Sequence, residues 1–319
     1  MTISRRMLLS LLLFLVCAVG FLTLNARGSW DFVLWFRGTK LIGICLVAFS
    51  IAVSTVLFQT LTHNRILTPS LMGFDSLYAL LQTMLVFTLG GLGFAQLPAQ
   101  LSFFSSFFIM MVASLALFGT LLGQSRQARG EDMHRLLLTG IIFGVLFRSV
   151  TSFLQRLIDP NDFVVAATSS MASFNAIDGD LLLISSAIML AGFLGAWYLR
   201  FDLDIMALGR DVSINLGVNY KRRLYLTLIV IAALVSVSTA LVGPVAFFGL
   251  LVSNLTYHLF PTHRHAILLP ASSLLSACIL IGGQTILEQL LNFATPLSVI
   301  VEFLGGATFL LLILKGKSR

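Results

Sequence analysis

Charged side chains are scarce in this sequence: Asp, Glu, Lys and Arg make up 10% of its 319 residues. A soluble domain carries roughly a quarter, so this chain has too few polar groups to cover a water-exposed surface of its size. Disorder is excluded as well, because 58% of the residues are hydrophobic and the mean hydropathy is +0.98. We therefore expect the lipid bilayer to be the solvent of this protein.

The residue patterns of common catalytic sites are also missing. The sequence has no His-Glu-x-x-His motif, and its three cysteines all lie inside apolar runs, which argues against a disulfide framework. Three of the five histidines fall within 258–265 without a neighbouring Cys or carboxylate, which favours solvated histidines over a metal site. Gly316-Lys317-Ser318 resembles the end of a phosphate-binding loop, yet position 311 is Leu where that motif needs Gly. We expect no metal, no cofactor and no ATP hydrolysis by this chain.

Long runs without charge predict ten membrane-spanning helices, since a span needs about 20 apolar residues. The run at 76–125 is far too long for one span, and Gly90-Gly91, Gly93 and Pro98 are expected to break it into two helices. The ten segments are 7–26, 41–64, 76–94, 101–123, 136–157, 181–199, 224–242, 245–260, 266–287 and 297–314. Most connections are short, so the sequence predicts an all-α fold with a single membrane domain over residues 1–319.

The distribution of Lys and Arg predicts the orientation of these helices. With both termini in the cytoplasm, 15 of the 20 basic residues fall in cytoplasmic segments, as the positive-inside rule requires. Three lie in loops on the other side, and Arg148 and Arg156 lie within the fifth helix. The net charge of +7 therefore reflects cytoplasmic loops rather than a nucleic-acid surface. Arg5-Arg6 precedes the first apolar run as in a signal peptide, but no small-residue cleavage site follows, so we expect that helix to be retained.

The connection at 200–223 is the most informative segment outside the membrane. Its pattern of capping residues predicts two short consecutive helices at the membrane surface. The expected caps are, in order, Asp204, Gly209, Asp211 or Ser213, and Gly217. Leu208 and Leu216 are apolar residues among charges. A stiff, half-apolar protrusion of this kind suits the docking of a partner protein, and an ordinary amphipathic linker is an equally good interpretation of the spacing alone.

At this loop the sequence resembles a known family. Ala207-Leu208-Gly209, six further residues and Leu216-Gly217-Val218 resemble the coupling loop of the permeases that import iron siderophores, haem and cobalamin with a separate ATPase. Other segments that resemble the family's motifs, in the same order, are 63–73, 243–254, 264–270 and 296–307. Asn254 and Ala307 stand where the family usually has Pro, and 286–289 lacks its usual Arg. This divergence points to the ferric-siderophore branch.

The resemblance implies a fold, a location and a set of partners. Ten helices with both termini in the cytoplasm would form two inverted halves, helices 2–5 and 7–10, in the bacterial inner membrane. Two permease subunits, identical or paralogous, would line a central path, with an ATPase dimer below and a periplasmic binding protein above. The residues expected to couple to the ATPase are Ala207, Leu208, Gly209, Leu216, Gly217 and Val218. A short helix after Gly243-Pro244 is also expected.

The fifth helix offers residues for the transport path. Small and basic residues follow one another at intervals of four, which forms a slowly turning stripe. They are Gly140, Gly144, Arg148, Ser152 and Arg156. In the family the fifth and tenth helices face the path, and such a stripe suits a bulky anion such as a ferric catecholate. We expect the glycines to serve helix packing and Arg148 to face a water-lined path, with Glu302 as its partner. The expected path residues are Arg148, Ser152, Arg156 and Glu302.

Arg37 and Lys40, at the outer end of the second helix, are expected to dock the binding protein. The family has Arg-x-Pro-Arg here, whose arginines pair with acidic groups of the binding protein, whereas this sequence has Arg37-Gly-Thr-Lys40. Lysine keeps the charge but loses the two-pronged geometry of arginine. An interfacial anchor is therefore an equal alternative for Lys40.

Together these features predict the permease subunit of an ATP-driven importer of an iron–siderophore complex. The same machine carrying haem or cobalamin is the first alternative. A secondary transporter without an ATPase is an alternative of a different class, but few ionisable residues are expected at membrane depth. They are Arg148, Glu302 and, less clearly, Glu288 and Asp75. An enzyme within the membrane is the least favoured interpretation, because the sequence shows no nucleophile–base or metal constellation.

Overall fold

The computed structural model describes residues 3–25, 29–123, 131–175, 177–289 and 297–316. Every regular element in this part of the chain is a helix, which confirms the all-α expectation. The α-helices are α1 (Ile3–Thr23), α2 (Trp30–Thr62), α3 (Phe74–Ala95), α4 (Ala99–Gly123), α5 (Glu131–Leu157), α6 (Pro160–Ser169), α7 (Gly179–Met206), α8 (Arg210–Asn215), α9 (Tyr220–Val242), α10 (Phe248–Leu259), α11 (His265–Gln289) and α12 (Leu297–Gly316). A 3-10 turn at Pro69–Met72 lies between α2 and α3.

Eight of these helices are long and apolar enough to cross a bilayer, by length and composition. They are α1, α2, α3, α4, α5, α7, α9 and α11. Of the other two expected spans, α10 has 12 residues, about 18 Å of helix against a hydrocarbon core of about 30 Å. α12 has 20 residues, and Leu297–Thr308 is its apolar stretch among the side chains that the structure describes. The count of ten spans and the cytoplasmic position of both termini remain predictions.

The interior of the bundle is formed by α2, α9 and α11. In their most apolar stretches 61–67% of the residues are buried, compared with 17% in α1 and α5. α2 presents small and β-branched side chains such as Ala52, Thr55 and Val56, which let neighbouring helices approach closely. An added Cβ at Gly249 would clash with the Thr55 hydroxyl. α10 therefore fits against α2 because position 249 has no side chain.

Two irregular segments interrupt the bundle. We call 63–73, between α2 and α3, the first break, and 243–247, between α9 and α10, the second break. Their residues with positive φ are His63 (49°), Gly73 (90°), Gly243 (90°) and Phe247 (56°). The short helix expected after Gly243-Pro244 is present as α10.

The connection at 200–223 differs from the sequence expectation in its first part. α7 continues to Met206, so the predicted first short helix is the last part of a long one. Asp204 lies inside α7 and does not cap a helix. Its carboxylate instead accepts hydrogen bonds from His265 at the start of α11. This contact joins residues 61 positions apart, which capping rules cannot reveal.

The second short helix of that connection is present as α8. Its N-cap position is occupied by Gly209 rather than by Asp211 or Ser213. Gly209 has a φ of 103°, a conformation open to glycine, and this lets the chain turn sharply from α7 into α8. Ser213 lies inside α8, and its hydroxyl donates to the Gly209 carbonyl at 2.6 Å. The predicted helix is therefore right in kind and wrong at its start.

Candidate functional site

The turns on either side of α8 form an apolar protrusion at one end of the bundle. We call residues 207–218 the loop surface and this end of the bundle the loop end. The exposed apolar side chains of the loop surface are Leu208, Val212, Ile214 and Leu216, between 44% and 62% exposed. Ser213, on the other side of α8, is fully buried and ties the helix to α7. Such a group of exposed apolar side chains is typical of a protein-docking surface.

The six residues expected to couple to an ATPase all lie in the loop surface. Leu208 and Leu216 are 62% and 58% exposed, and Val218 packs against the core. Gly217 has a φ of 84°, and a Cβ added there would meet no described atom within 4 Å. A side chain at 217 would thus strain the backbone and project outward. Contact of these residues with an ATPase remains a prediction.

The stripe along α5 turns from the core to the open face of the helix. Each step of four residues rotates the position by about 40° around the helix axis. Gly140 and Gly144 face inward, because an added Cβ would lie 2.9 Å from Met72 Cε at the first and 3.0 Å from Gly73 Cα at the second. The expectation that these glycines serve packing is therefore confirmed: α5 contacts the first break almost backbone to backbone.

Further along the same stripe, Arg148, Ser152 and Arg156 are exposed. Their neighbours on that face are apolar, among them Val145 and Phe153, which are 57% and 62% exposed. An arginine facing lipid at membrane depth is costly, so this face requires either water or another protein subunit. The arrangement suits a path between subunits, and the path role of these three residues remains a prediction.

One carboxylate on α3 lies close enough to interact electrostatically with both Arg148 and Glu302. This carboxylate is that of Asp75 in the first turn of α3, which also lies near the Ser70 side chain. Glu302 lies near the backbone N–H of Ala246 in the second break. None of the ion pairs within 4 Å among the described residues joins Arg148 to Glu302. The expected pairing of Arg148 with Glu302 remains a prediction, and Asp75 lies near both residues.

Sequence reasoning did not assign Asp75 to the path. An acidic residue in the first turn of a helix is normally explained by the positive end of the helix dipole, and that explanation hides any other role. The signal that could have found it is its place directly after the first break, ahead of a run without charge at 76–125. The break brings Asp75 to the helices that hold Arg148 and Glu302.

α12 contacts the second break much as α5 contacts the first. An added Cβ at Gly305 would lie 2.6 Å from Phe247 Cβ, just as Gly144 admits the backbone of the first break. A charged residue lies one turn from each glycine: Arg148 follows Gly144, and Glu302 precedes Gly305. This correspondence supports the expected inverted relation between the second to fifth and the seventh to tenth predicted spans, in which α12 is the tenth span. The relation remains a prediction.

Arg37 lies at the opposite end of the bundle, which we call the far end. Its Nη1 donates to the carbonyls of Phe21 (3.0 Å) and Leu24 (2.7 Å) at the end of α1. The last carbonyls of a helix have no partner within the helix, and a cation there also interacts favourably with the helix dipole. Arg37 therefore holds the end of α1 against α2.

Lys40 is buried in a polar cluster at the far end. It is 8% exposed, its ammonium pairs with the Glu288 carboxylate, and it donates to Asn175 Oδ1 at 2.8 Å. The Gln284 amide donates to the same two groups, at 2.9 and 3.1 Å. These four side chains, the far-end cluster, join α2, α11 and the segment before α7. Docking of a binding protein by Arg37 and Lys40 remains a prediction.

No group of three or more His, Cys, Asp or Glu side chains within the described residues is arranged to hold a metal ion. His258 and His263 are exposed, in line with solvated side chains. The same interpretation is wrong for His265, which is 2% exposed and bonds to Asp204 and Thr60. Asp204 lies on another helix, so the sequence around His265 does not show this partner.

Comparison with known proteins decides the family. A model of the FecCD transport family matches residues 8–315. The chain belongs to this family. The petrobactin import system permease protein YclO of Bacillus subtilis (strain 168) is 42% identical over 301 residues, which is 94% of each chain. The petrobactin import system permease protein FatC of Bacillus anthracis is 32% identical, over 88% of this chain and 78% of its own.

The fold agrees with that assignment. A solved structure of a metal-chelate type ABC transporter, in an inward-facing conformation, has a TM-score of 0.84 and covers 98% of this chain and 100% of its own, at 21% sequence identity. This FecCD-family chain is a multi-pass permease of the bacterial inner membrane. Such permeases are subunits of ABC importers, in which ATP is hydrolysed by a separate subunit.

Proposed function

We propose that this chain is the membrane-spanning subunit of an ATP-driven importer that moves a ferric siderophore, of the catecholate type, into the cytoplasm. Two relatives whose names state petrobactin import support a siderophore cargo. The observation that carries the proposed path is the open face of α5, on which Arg148 and Arg156 stand among apolar side chains. A path of this kind suits a large anion.

The loop surface would receive the ATPase dimer. Leu208 and Leu216 would enter an apolar cleft of the ATPase, where their burial releases water from both surfaces. α8 has six residues and is fixed to α7 by Ser213. A push on the loop surface is therefore passed to the long helices rather than absorbed by the connection.

The cargo would pass between the open faces of α5 and α12 and a second permease subunit. A charged solute entering an apolar region loses hydration, and the Arg148 guanidinium offsets part of that loss for an anion. Asp75 and Glu302 interact with each other, and Asp75 also with Arg148, which weakens the hold of the arginine on an anion. Since a tightly held cargo leaves slowly, this balance suits passage rather than storage.

A periplasmic binding protein would deliver the cargo at the far end. The guanidinium of Arg37 has five N–H donors, so it can hold the end of α1 and also meet an acidic side chain of that protein. Lys40 would act indirectly, because its ammonium fixes Asn175 in the segment before α7.

A secondary transporter remains the second candidate function, favoured by one observation. Asp75 on a membrane helix lies near two other ionisable groups, Arg148 and Glu302, and such groups mark proton-coupled carriers. The two functions differ in their energy source, so transport driven by ATP can be separated from transport driven by a proton gradient.

The decisive experiment is uptake into liposomes that contain this chain, its second permease and the ATPase. We expect uptake of a ferric catecholate complex that requires ATP and the binding protein and persists with a protonophore. Uptake that needs no ATPase and stops with the protonophore would establish the secondary transporter instead.

The path is tested in the same system with Arg148→Ala. We expect uptake of an anionic ferric complex to slow about tenfold, equivalent to about 1.4 kcal/mol in the barrier, with a smaller effect on a neutral complex. Arg148→Lys should retain part of the activity, because charge matters more than geometry for a diffuse anion. Ser149→Ala, an exposed neighbour, is the matched control. Equal slowing of both cargoes, with recovery in Arg148→Ala/Glu302→Ala, would assign Arg148 to structure.

A further inference from the structure

A buried histidine joins three helices at the loop end. His265, the first residue of α11, is 2% exposed. Its Nδ1 lies 2.6 Å and its backbone N 2.7 Å from Asp204 Oδ1 on α7. Its Nε2 lies 2.7 Å from Thr60 Oγ1 on α2. We call these three side chains the loop-end link.

The chemistry of the groups makes this link stiff. A carboxylate accepts hydrogen bonds and does not donate them, so both nitrogens of His265 that face Asp204 are donors. The imidazole ring is planar, and its two nitrogens point to α7 and to α2 at a fixed separation. A displacement of Asp204 is therefore transferred to α11 and α2 without a flexible side chain between them.

The link sits directly at the base of the loop surface. Asp204 is three residues before Ala207, the first residue of that surface. A second contact lies beside it, since His63 Nε2, just past the end of α2, is 3.2 Å from the carbonyl oxygen of Met206. The protrusion is thus attached through side chains to α2 and α11, in addition to the chain connections to α7 and α9.

The same two helices are joined again at the far end. Lys40 on α2 and Glu288 on α11 form the ion pair of the far-end cluster. From Lys40 to Thr60 the helix rises about 30 Å. α2 and α11 are therefore fastened to each other at both ends and can move as one body across the membrane.

We propose that Asp204, His265 and Thr60 are positioning residues that carry the ATPase-driven movement of the loop surface to the α2–α11 pair. This inference rests on the proposed function, because it takes the loop surface to be the ATPase contact. If the link only supported the start of α11, its loss would lower the stability of the chain. The amount of cargo moved per ATP hydrolysed would then stay unchanged.

The test compares cargo moved with ATP hydrolysed in the reconstituted transporter. We expect His265→Ala to keep ATPase association and hydrolysis while the cargo moved per ATP falls about tenfold, the scale of losing a hydrogen bond to a charged group. Asp204→Ala should give at least that loss, because it also removes the bond from the His265 backbone N–H. The double variant should lose no more than Asp204→Ala alone, because the residues act as one link. His265→Gln keeps an amide donor and an acceptor and should restore part of the ratio. His263→Ala, two residues away and exposed, is the matched control.

A second readout does not depend on the cargo. A nitroxide label is placed at position 286, on the exposed far-end part of α11, in a chain whose three native cysteines are replaced. When ATP and vanadate trap the transporter that is otherwise wild type, the electron paramagnetic resonance spectrum of the label should change; this change is the response. The response should vanish in His265→Ala and persist in His263→Ala. A response that persists in His265→Ala, an unchanged transport ratio, or additive losses in the double variant would overturn the link. A wild-type transporter that shows the response but moves no ferric siderophore would contradict the proposed cargo and support the link.

Discussion

The two ends of the α2–α11 pair are joined by polar clusters that differ in their exposure. At the far end, the side chains of Lys40 and Glu288 are 10% and 11% exposed, so both charges are enclosed. At the loop end, His265 is 2% exposed but its partner Asp204 is 28% exposed. The two charges of the far-end cluster are enclosed, whereas the carboxylate at the loop end is partly open.

This difference indicates different tasks. Two charges removed from water are stable only while both stay paired and hydrogen-bonded, so the far-end cluster tolerates little change in geometry. Asp204 is bonded to His265 and also reaches water, because more than a quarter of its side chain is open. The loop end is therefore the end at which the pair can receive movement, and the far end is the end at which α2 and α11 stay fixed to each other.

Breaking the far-end pair should have the largest effect on stability. Glu288→Ala leaves the buried Lys40 ammonium without its carboxylate, and we expect the free energy of unfolding to fall by about 3–5 kcal/mol. Denaturant titration of the purified chain in detergent measures this change.

The matched control replaces both charges at once. Lys40→Met with Glu288→Leu keeps the volume and removes the charges, so we expect a stability within about 1 kcal/mol of the wild type. If Glu288→Ala proved as mild as the double change, the far-end cluster would not be the closed unit that its burial indicates.

The corresponding change at the loop end should be milder. His265→Leu removes the imidazole bonds to Asp204 and Thr60 but keeps the bond from the backbone N–H to Asp204, and the partly open carboxylate can also turn to water. We expect a loss of about 1–3 kcal/mol, measured in the same titration. His263→Leu, at an exposed site, should change stability by less than about 0.5 kcal/mol. A loss as large as that of Glu288→Ala would remove the distinction between the two ends.

Sequence patterns were sufficient for the helices because burial in lipid demands continuous apolar runs. The predicted segment 266–287 corresponds to α11 (His265–Gln289), and 224–242 corresponds to α9 (Tyr220–Val242). Pro98 marks the boundary between α3 and α4 as expected, while Gly90, with a φ of 71°, kinks α3 without ending it. These signals are local, so a single sequence contains them.

The two clusters could not be predicted in this way. Lys40 and Glu288 are 248 positions apart, and Thr60 and His265 are 205 apart. The pattern of apolar residues around Lys40 does not show whether its charge faces a partner protein or the bundle interior. The family motif favoured docking, whereas the structure gives the ammonium a carboxylate partner within its own chain.

At the loop end, a variant of Gly217 tests the loop surface independently of the loop-end link. Gly217→Asp forces a side chain into a φ of 84°, which we expect to cost about 1 kcal/mol of stability. ATP-dependent uptake should fall much more, because the carboxylate would enter the ATPase contact, while docking of the binding protein is retained. Gly217→Asn tolerates this conformation and carries no charge, so it should restore most of the uptake. Normal uptake by Gly217→Asp would mean that the loop is a linker.

Apart from the control variants, the smallest effect on stability is expected at Arg37. Its guanidinium caps the end of α1 and is only half-buried, and α1 itself is the least enclosed of the long helices together with α5. Arg37→Ala should therefore cost about 0.5–1 kcal/mol, the net value of an ordinary hydrogen bond. The affinity of the Arg37→Ala variant for the binding protein distinguishes two roles of Arg37, capping α1 and docking that protein. If Arg37 also meets an acidic group of that protein, the Kd rises about tenfold, equivalent to about 1.4 kcal/mol, and Arg37→Lys recovers part of it. An unchanged Kd would leave Arg37 as a cap on α1 and would remove docking from the far end, where Lys40 is already enclosed with Glu288.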